Sequence, residues 1–124
     1  MTGEFRAQHD PTMLANGHLM LFDNRGAGPA ASAVREYDPV TRRQVWSYSA
    51  PNFYSHTCGT SYRLPNGNTL VCESDRGRAF ELAGDERIVW EFYNPHRGGE
   101  HDELIAVLYD LQRIPAAELD WLDE

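Results

Sequence analysis

A chain of 124 residues with 41% apolar and 11% aromatic side chains has enough to fold one domain around a modest core. Its net charge of −8 sets nineteen acids against eleven arginines and no lysine; with no basic stripe to meet phosphates, nucleic acid is excluded as a partner. No run approaches the roughly 20 apolar residues of a membrane span, and Met1-Thr2-Gly3-Glu4-Phe5-Arg6 lacks the apolar centre of a secretory signal.

In chain order, Thr12-Met13-Leu14 leads into the turn Ala15-Asn16-Gly17, and His18-Leu19-Met20-Leu21-Phe22 leaves it. Asn-Gly at a corner supplies the left-handed residue of a tight hairpin. Gly26-Ala27-Gly28-Pro29-Ala30-Ala31 reads as a flexible loop, after which Ala33–Tyr37 and Gln44–Tyr48 form two further strands joined by Asp38-Pro39-Val40-Thr41. Then the pattern returns. Thr60–Leu64 runs into Pro65-Asn66-Gly67, Asn68–Cys72 runs out, and Arg78–Leu82 and Arg87–Phe92 follow around Ala83-Gly84-Asp85-Glu86. Leu14-Ala15-Asn16-Gly17 recurs as Leu64-Pro65-Asn66-Gly67 at a shift of 50, and Val45-Trp46 as Val89-Trp90 at a shift of 44.

A 40–50-residue period of short alternating strands is the mark of propeller blades, each of which must stack on a neighbour to bury its apolar face. The expected fold is therefore all-β: a partial β-propeller of about two four-stranded antiparallel blades, a half-blade and a short C-terminal helical turn. It reads as a single unit over 1–124, with blade-like repeats at about 8–50 and 56–94 and a partial unit at 95–124. Within that last part, 104–113 is expected to be extended and 116–122 to hold a helical turn. Trp46 and Trp90, at equivalent positions, are expected to pack between blades, and His18, just past a turn, to lie at the surface. Cys58 and Cys72 flank the second turn out of direct register; they are near neighbours without a supported disulfide and read as small buried residues.

Loops that start the inner strands of a propeller gather at one mouth. Gln8-His9-Asp10, Ser55-His56-Thr57 and His96-Arg97 stand at three such places, at intervals of 47 and 40 residues, with His101 nearby. Imidazoles there suit nucleophilic or acid–base work. His96-Arg97-Gly98-Gly99-Glu100-His101-Asp102 contains metal-ligand types, but it has no helical i, i+4 pair and carries an arginine, so neither a metal nor another cofactor is expected.

Phe5-Arg6-Ala7-Gln8-His9-Asp10-Pro11 with Leu21-Phe22-Asp23-Asn24 resembles the bacterial arylsulfotransferase family, as do Arg63–Leu70, Gly77-Arg78-Ala79-Phe80-Glu81 and Val89–Arg97. The resemblance implies a six-bladed, exported propeller, in the periplasm or outside the cell, although the chain's own composition leaves the compartment open. It also implies transfer of a sulfuryl group from a phenolic sulfate ester to a phenol through a sulfated histidine. On that resemblance His9 matches the channel histidine, as nucleophile or acid/base; His96, Arg97 and His56 are candidates by placement and Arg25 is a candidate oxyanion donor. Two and a half blades do not close a ring, so missing blades or self-association are expected to complete it. A non-catalytic propeller that binds a ligand or protein through its mouth is the competing reading.

Overall fold

The computed structural model describes residues 5–123. Residues 1–4, part of the segment read for a leader, and residue 124 at the end of the partial unit lie outside the described residues. Ten strands are present among the described residues: β1 (Gln8–Met13), β2 (Leu19–Gly28), β3 (Ala31–Asp38), β4 (Arg43–Tyr48), β5 (Thr60–Arg63), β6 (Thr69–Glu73), β7 (Arg78–Leu82), β8 (Ile88–Tyr93), β9 (Arg97–Gly98) and β10 (Leu104–Ile105). They form two four-stranded antiparallel meanders, β1-β2-β3-β4 and β5-β6-β7-β8, and a two-stranded ribbon of β9 and β10. The fold is all-β, in open sheets consistent with part of a propeller.

The repeated turns have one geometry. Leu14 N–H donates to His18 O at 2.8 Å and Gly17 N–H to Leu14 O at 2.9 Å; Leu64 to Asn68 and Gly67 to Leu64 repeat both distances. Gly17 and Gly67 take φ of +85° and +87°, the left-handed conformation this bulged turn demands of its last corner residue. The side chains of Asn16 and Asn66 accept from the backbone N–H two residues on, at 2.9 and 3.0 Å, closing an Asx turn. The β7–β8 turn has the same hydrogen bonds, but Glu86 occupies the glycine position at φ +66°.

The two sheets pack face to face. Met20, Phe22, Val34 and Tyr48 of the first meet Val71, Phe80 and Leu82 of the second, and Phe53 from the connection between them fills the centre. Its ring stands edge-on to Phe22 and to Phe80, with centroids 5.5 and 5.6 Å apart. The period-2 pattern of each strand delivers these residues to one face.

Polar contacts tie the interface as well. Arg63 of β5 reaches Glu36 of β3 at 2.9 Å while its guanidinium lies over the Trp46 ring, 5.2 Å from the centroid. On the far side of the second sheet, Arg113 repeats the arrangement with Glu81, at 2.7 Å, and with Trp90, at 5.4 Å. The 106–113 segment thus stands to the second sheet as β5 stands to the first. Leu108 N–H donates to Ser74 O at 3.0 Å, and the Cys72 thiol donates to Leu108 O at 3.1 Å.

Some local expectations change. The Gly26–Ala31 stretch is not a loose loop: β2 runs on to Gly28 and β3 begins at Ala31, so only Pro29 and Ala30 turn. The helical turn expected at 116–122 is present, as single turns of 3-10 helix at Ala116–Glu118 and Asp120–Asp123, while within 104–113 only Leu104–Ile105 is a regular strand. The β9–β10 ribbon and a further 3-10 turn at Ser74–Arg76 had no separate sign in the sequence. His18 is half-buried, its Nδ1 2.8 Å from Glu36 Oε1. Cys58 and Cys72 are both free thiols; Cys72 pairs in register with Thr60, two residues past Cys58.

Candidate functional site around His9

His9 lies on β1 where the strand departs from regular pairing. His9 faces Phe22, the next partners are Thr12 and Met20, and the shift between them is a bulge. Ala7 and Asp10 take φ of +67° and +51° on either side. A non-glycine residue in that region costs roughly 1 kcal/mol or more, and bulges of this kind re-aim a side chain. The strained approach is anchored: Arg6 N–H donates to the fully buried Asp23 at 2.9 Å, and Arg25 N–H donates to Arg6 O at 3.0 Å.

The imidazole rests on Asn24. His9 Nδ1 is 2.6 Å from Asn24 Oδ1 and 3.2 Å from Ala7 O. Asn24 is fully buried, and its amide donates to Ser55 O at 2.8 Å and Cys58 O at 2.6 Å, so the segment before β5 is tied to the start of β1. Asp10 continues this link, its carboxylate accepting from Ser61 N–H at 3.3 Å. Burial pushes the Asp10 carboxyl above its ordinary range, Asp110 adds to that by charge, and the Ser61 bond opposes it. Asp110 itself accepts from Thr60 at 2.9 Å and from Tyr62 at 3.0 Å. Burial raises the Asp110 pKa, but hydrogen bonds from Gln112, Thr60 and Tyr62 outweigh it and leave the group below its ordinary value.

A cavity of about 310 Å³ is lined by Arg6, Ala7, Arg25 and Pro29, and Ala7 links it to His9 through its carbonyl. It puts two guanidinium-bearing residues next to the residue whose carbonyl touches the imidazole, an arrangement suited to a tetrahedral oxyanion. A second cavity of about 310 Å³ is lined by Arg97 with Glu73, Asp75, Arg76, Arg78, Tyr93 and Ile105. Arg78 there is committed to Glu91 at 2.6 Å and to Glu73 at 3.4 Å.

The candidate residues therefore fall into separate groups. His9 and Arg25 are neighbours through Asn24 and Arg6. His56 is exposed, with Tyr54 Oη 3.4 Å from its Nδ1, on the segment that Asn24 holds. His96 is exposed at the start of the β9–β10 ribbon, where its carbonyl accepts from Ala106 N–H at 2.9 Å. Among the described residues no hydrogen bond or ion pair joins His96 or Arg97 to His9. His101 is also exposed, its backbone N–H donating to Glu103. No group of three or more His, Cys, Asp or Glu side chains able to hold a metal occurs among the described residues, and no described helix is long and apolar enough to cross a membrane.

Sequence reasoning treated Asn24 only as part of a motif and left Arg6 without a role. The signal for Asn24 was its place two residues after Phe22, on the same face of the strand as that core residue, where a buried amide must find partners.

No curated protein and no solved structure matches the chain. Residues 1–95, which include His9, Asn24, Arg25 and His56 and stop just short of His96, match the family model for Arylsulfotransferase (ASST). With both four-stranded sheets inside that match, the chain belongs to the arylsulfotransferase family.

Proposed function

We propose that the chain carries part of a site for sulfuryl transfer from a phenolic sulfate ester to a phenol. The observation that supports this most is His9 held by a buried amide and touching the carbonyl of Ala7, which lines a cavity with Arg6 and Arg25. An imidazole nitrogen attacks the sulfur; the N–S bond forms as the S–O bond to the donor breaks, and the donor departs as a phenolate with that bond's electron pair, its charge balanced by the proton the acceptor later gives up. In the second half an acceptor phenol gives up its proton to a base and attacks the same sulfur, so the N–S bond breaks and the imidazole is restored. Arg25 and Arg6 face the sulfuryl oxygens, where planar donors stabilise spread charge. His9 serves as the nucleophile or as the acid/base, and His56, His96 and Arg97 belong to the same mouth when further blades or further copies complete the ring. The reaction as written needs no metal and no nucleotide.

The test incubates the chain with 4-nitrophenyl sulfate and a phenol acceptor and follows nitrophenolate. Acceptor-dependent release that His9→Ala abolishes supports the proposal. Binding of the aryl sulfate without any release assigns the chain instead to the non-catalytic binding class.

A further inference from the structure

We infer that Asn24 is a positioning residue that fixes His9 in the tautomer with its proton on Nδ1, leaving Nε2 as the nitrogen that works. The chemistry this serves rests on the sulfuryl-transfer reading; the geometry does not.

The argument follows from which atoms can only accept. Asn24's amide has carbonyl oxygens of Ser55 and Cys58 on one side, at 2.8 and 2.6 Å. Carbonyls cannot donate, so the NH2 group stands on that side and Oδ1 faces the imidazole. His9 Nδ1 then meets two acceptors, Asn24 Oδ1 at 2.6 Å and Ala7 O at 3.2 Å. A lone pair there would face two others, so Nδ1 carries the hydrogen. A neutral ring has one such hydrogen, which leaves the lone pair on Nε2. Nε2 makes no hydrogen bond with any described residue.

Asn24 is itself locked. Ser32 Oγ donates to the backbone carbonyl of Asn24 at 2.9 Å and accepts from Ser55 N–H at 3.0 Å, which fixes the two backbones against each other, and turning the side-chain amide would strand the Ser55 and Cys58 carbonyls. Whether Nε2 attacks sulfur or takes the acceptor's proton, a ring fixed this way is ready for it, whereas the opposite tautomer presents an N–H that can do neither.

Proton–nitrogen correlation spectra of the histidine rings, run on the whole chain at a pH where His9 is neutral, test this. A proton-bearing Nδ1 and a lone-pair Nε2 are expected for His9; a proton on Nε2, or an even mixture, would overturn the inference. Folded Asn24→Ala, which removes the acceptor at 2.6 Å, populates both forms. In turnover, Asn24→Ala lowers kcat by roughly threefold to tenfold, the worth of one hydrogen bond, with KM unchanged; an unaltered tautomer in that variant would also overturn it. The spectra need no catalysis. A chain with Nδ1–H and no sulfuryl transfer retains this inference and loses the functional proposal.

Discussion

Arg63 and Glu36 join the two sheets through a 2.9 Å ion pair in which the carboxylate is almost fully enclosed. Burial alone would raise the Glu36 pKa; hydrogen bonds from His18 and Asn16 and the Arg63 charge outweigh it and hold the group below its ordinary 4.5. Arg63→Met removes the guanidinium from over Trp46 and leaves the carboxylate short of a cation, at a cost of roughly 1–3 kcal/mol for this partly exposed pair. Because the folded pKa is depressed, the stabilisation is whole above about pH 4.5 and is lost as pH falls through the folded value. Urea unfolding at several pH values should show a wild-type advantage that is flat near neutrality and shrinks below pH 4.5. An advantage that grows on acidification contradicts this.

Phe53 is the wedge on which both sheets close, enclosed between Phe22, Tyr48 and Phe80. Phe53→Ala is expected to cost about 3–5 kcal/mol, a large part of the stability of so small a domain. Phe53→Leu should keep the fold at a loss of roughly 1–2 kcal/mol. Denaturant midpoints check both, and an alanine variant within 1 kcal/mol of wild type would show that the sheets hold without it.

Glu86 holds the position that Gly17 and Gly67 hold in the sister turns, at φ +66°. The left-handed conformation costs a side-chain-bearing residue about 1 kcal/mol relative to glycine. Glu86→Gly is therefore expected to stabilise the chain by up to ~1 kcal/mol, read as a rise in melting temperature. A fall would mean that the Glu86 side chain contributes more than its backbone costs.

The two thiols should differ in reactivity. Burial pushes the Cys72 thiol up to about 11, and it donates to Leu108 O, while Cys58 is partly exposed. Iodoacetamide at pH 8 should label Cys58 in the native protein and reach Cys72 only after unfolding, since the thiolate is the nucleophile. Equal native rates contradict the burial of Cys72 beneath the 106–113 segment.

The strands and turns were legible because alternation and Asn-Gly corners are local signals, and both tight turns formed with one set of hydrogen bonds. The third unit was harder to read. Arg113-Ile114-Pro115 follows Arg63-Leu64-Pro65 by 50 positions, a recurrence that would have placed Arg113 on Glu81 beforehand. It was hidden because Ala116-Ala117 stands where the other units have Asn-Gly, and the β-branched content of 104–113, Ile105 and Val107, is modest. The site was legible as residue types only. That His9 leans on Asn24, and that Arg6 joins Arg25 at one cavity, depends on a bulge and two left-handed residues that no periodicity announces.

The most direct test of the account is the capture of a sulfuryl group on the chain. Incubation with 4-nitrophenyl sulfate and no acceptor, followed by intact-mass and peptide analysis, should show one sulfuryl adduct on a histidine that disappears when a phenol is added, and His9→Ala should abolish its formation. A folded chain that gives no adduct and releases no nitrophenolate, or a His9→Ala variant that still does both at the wild-type rate, contradicts the account.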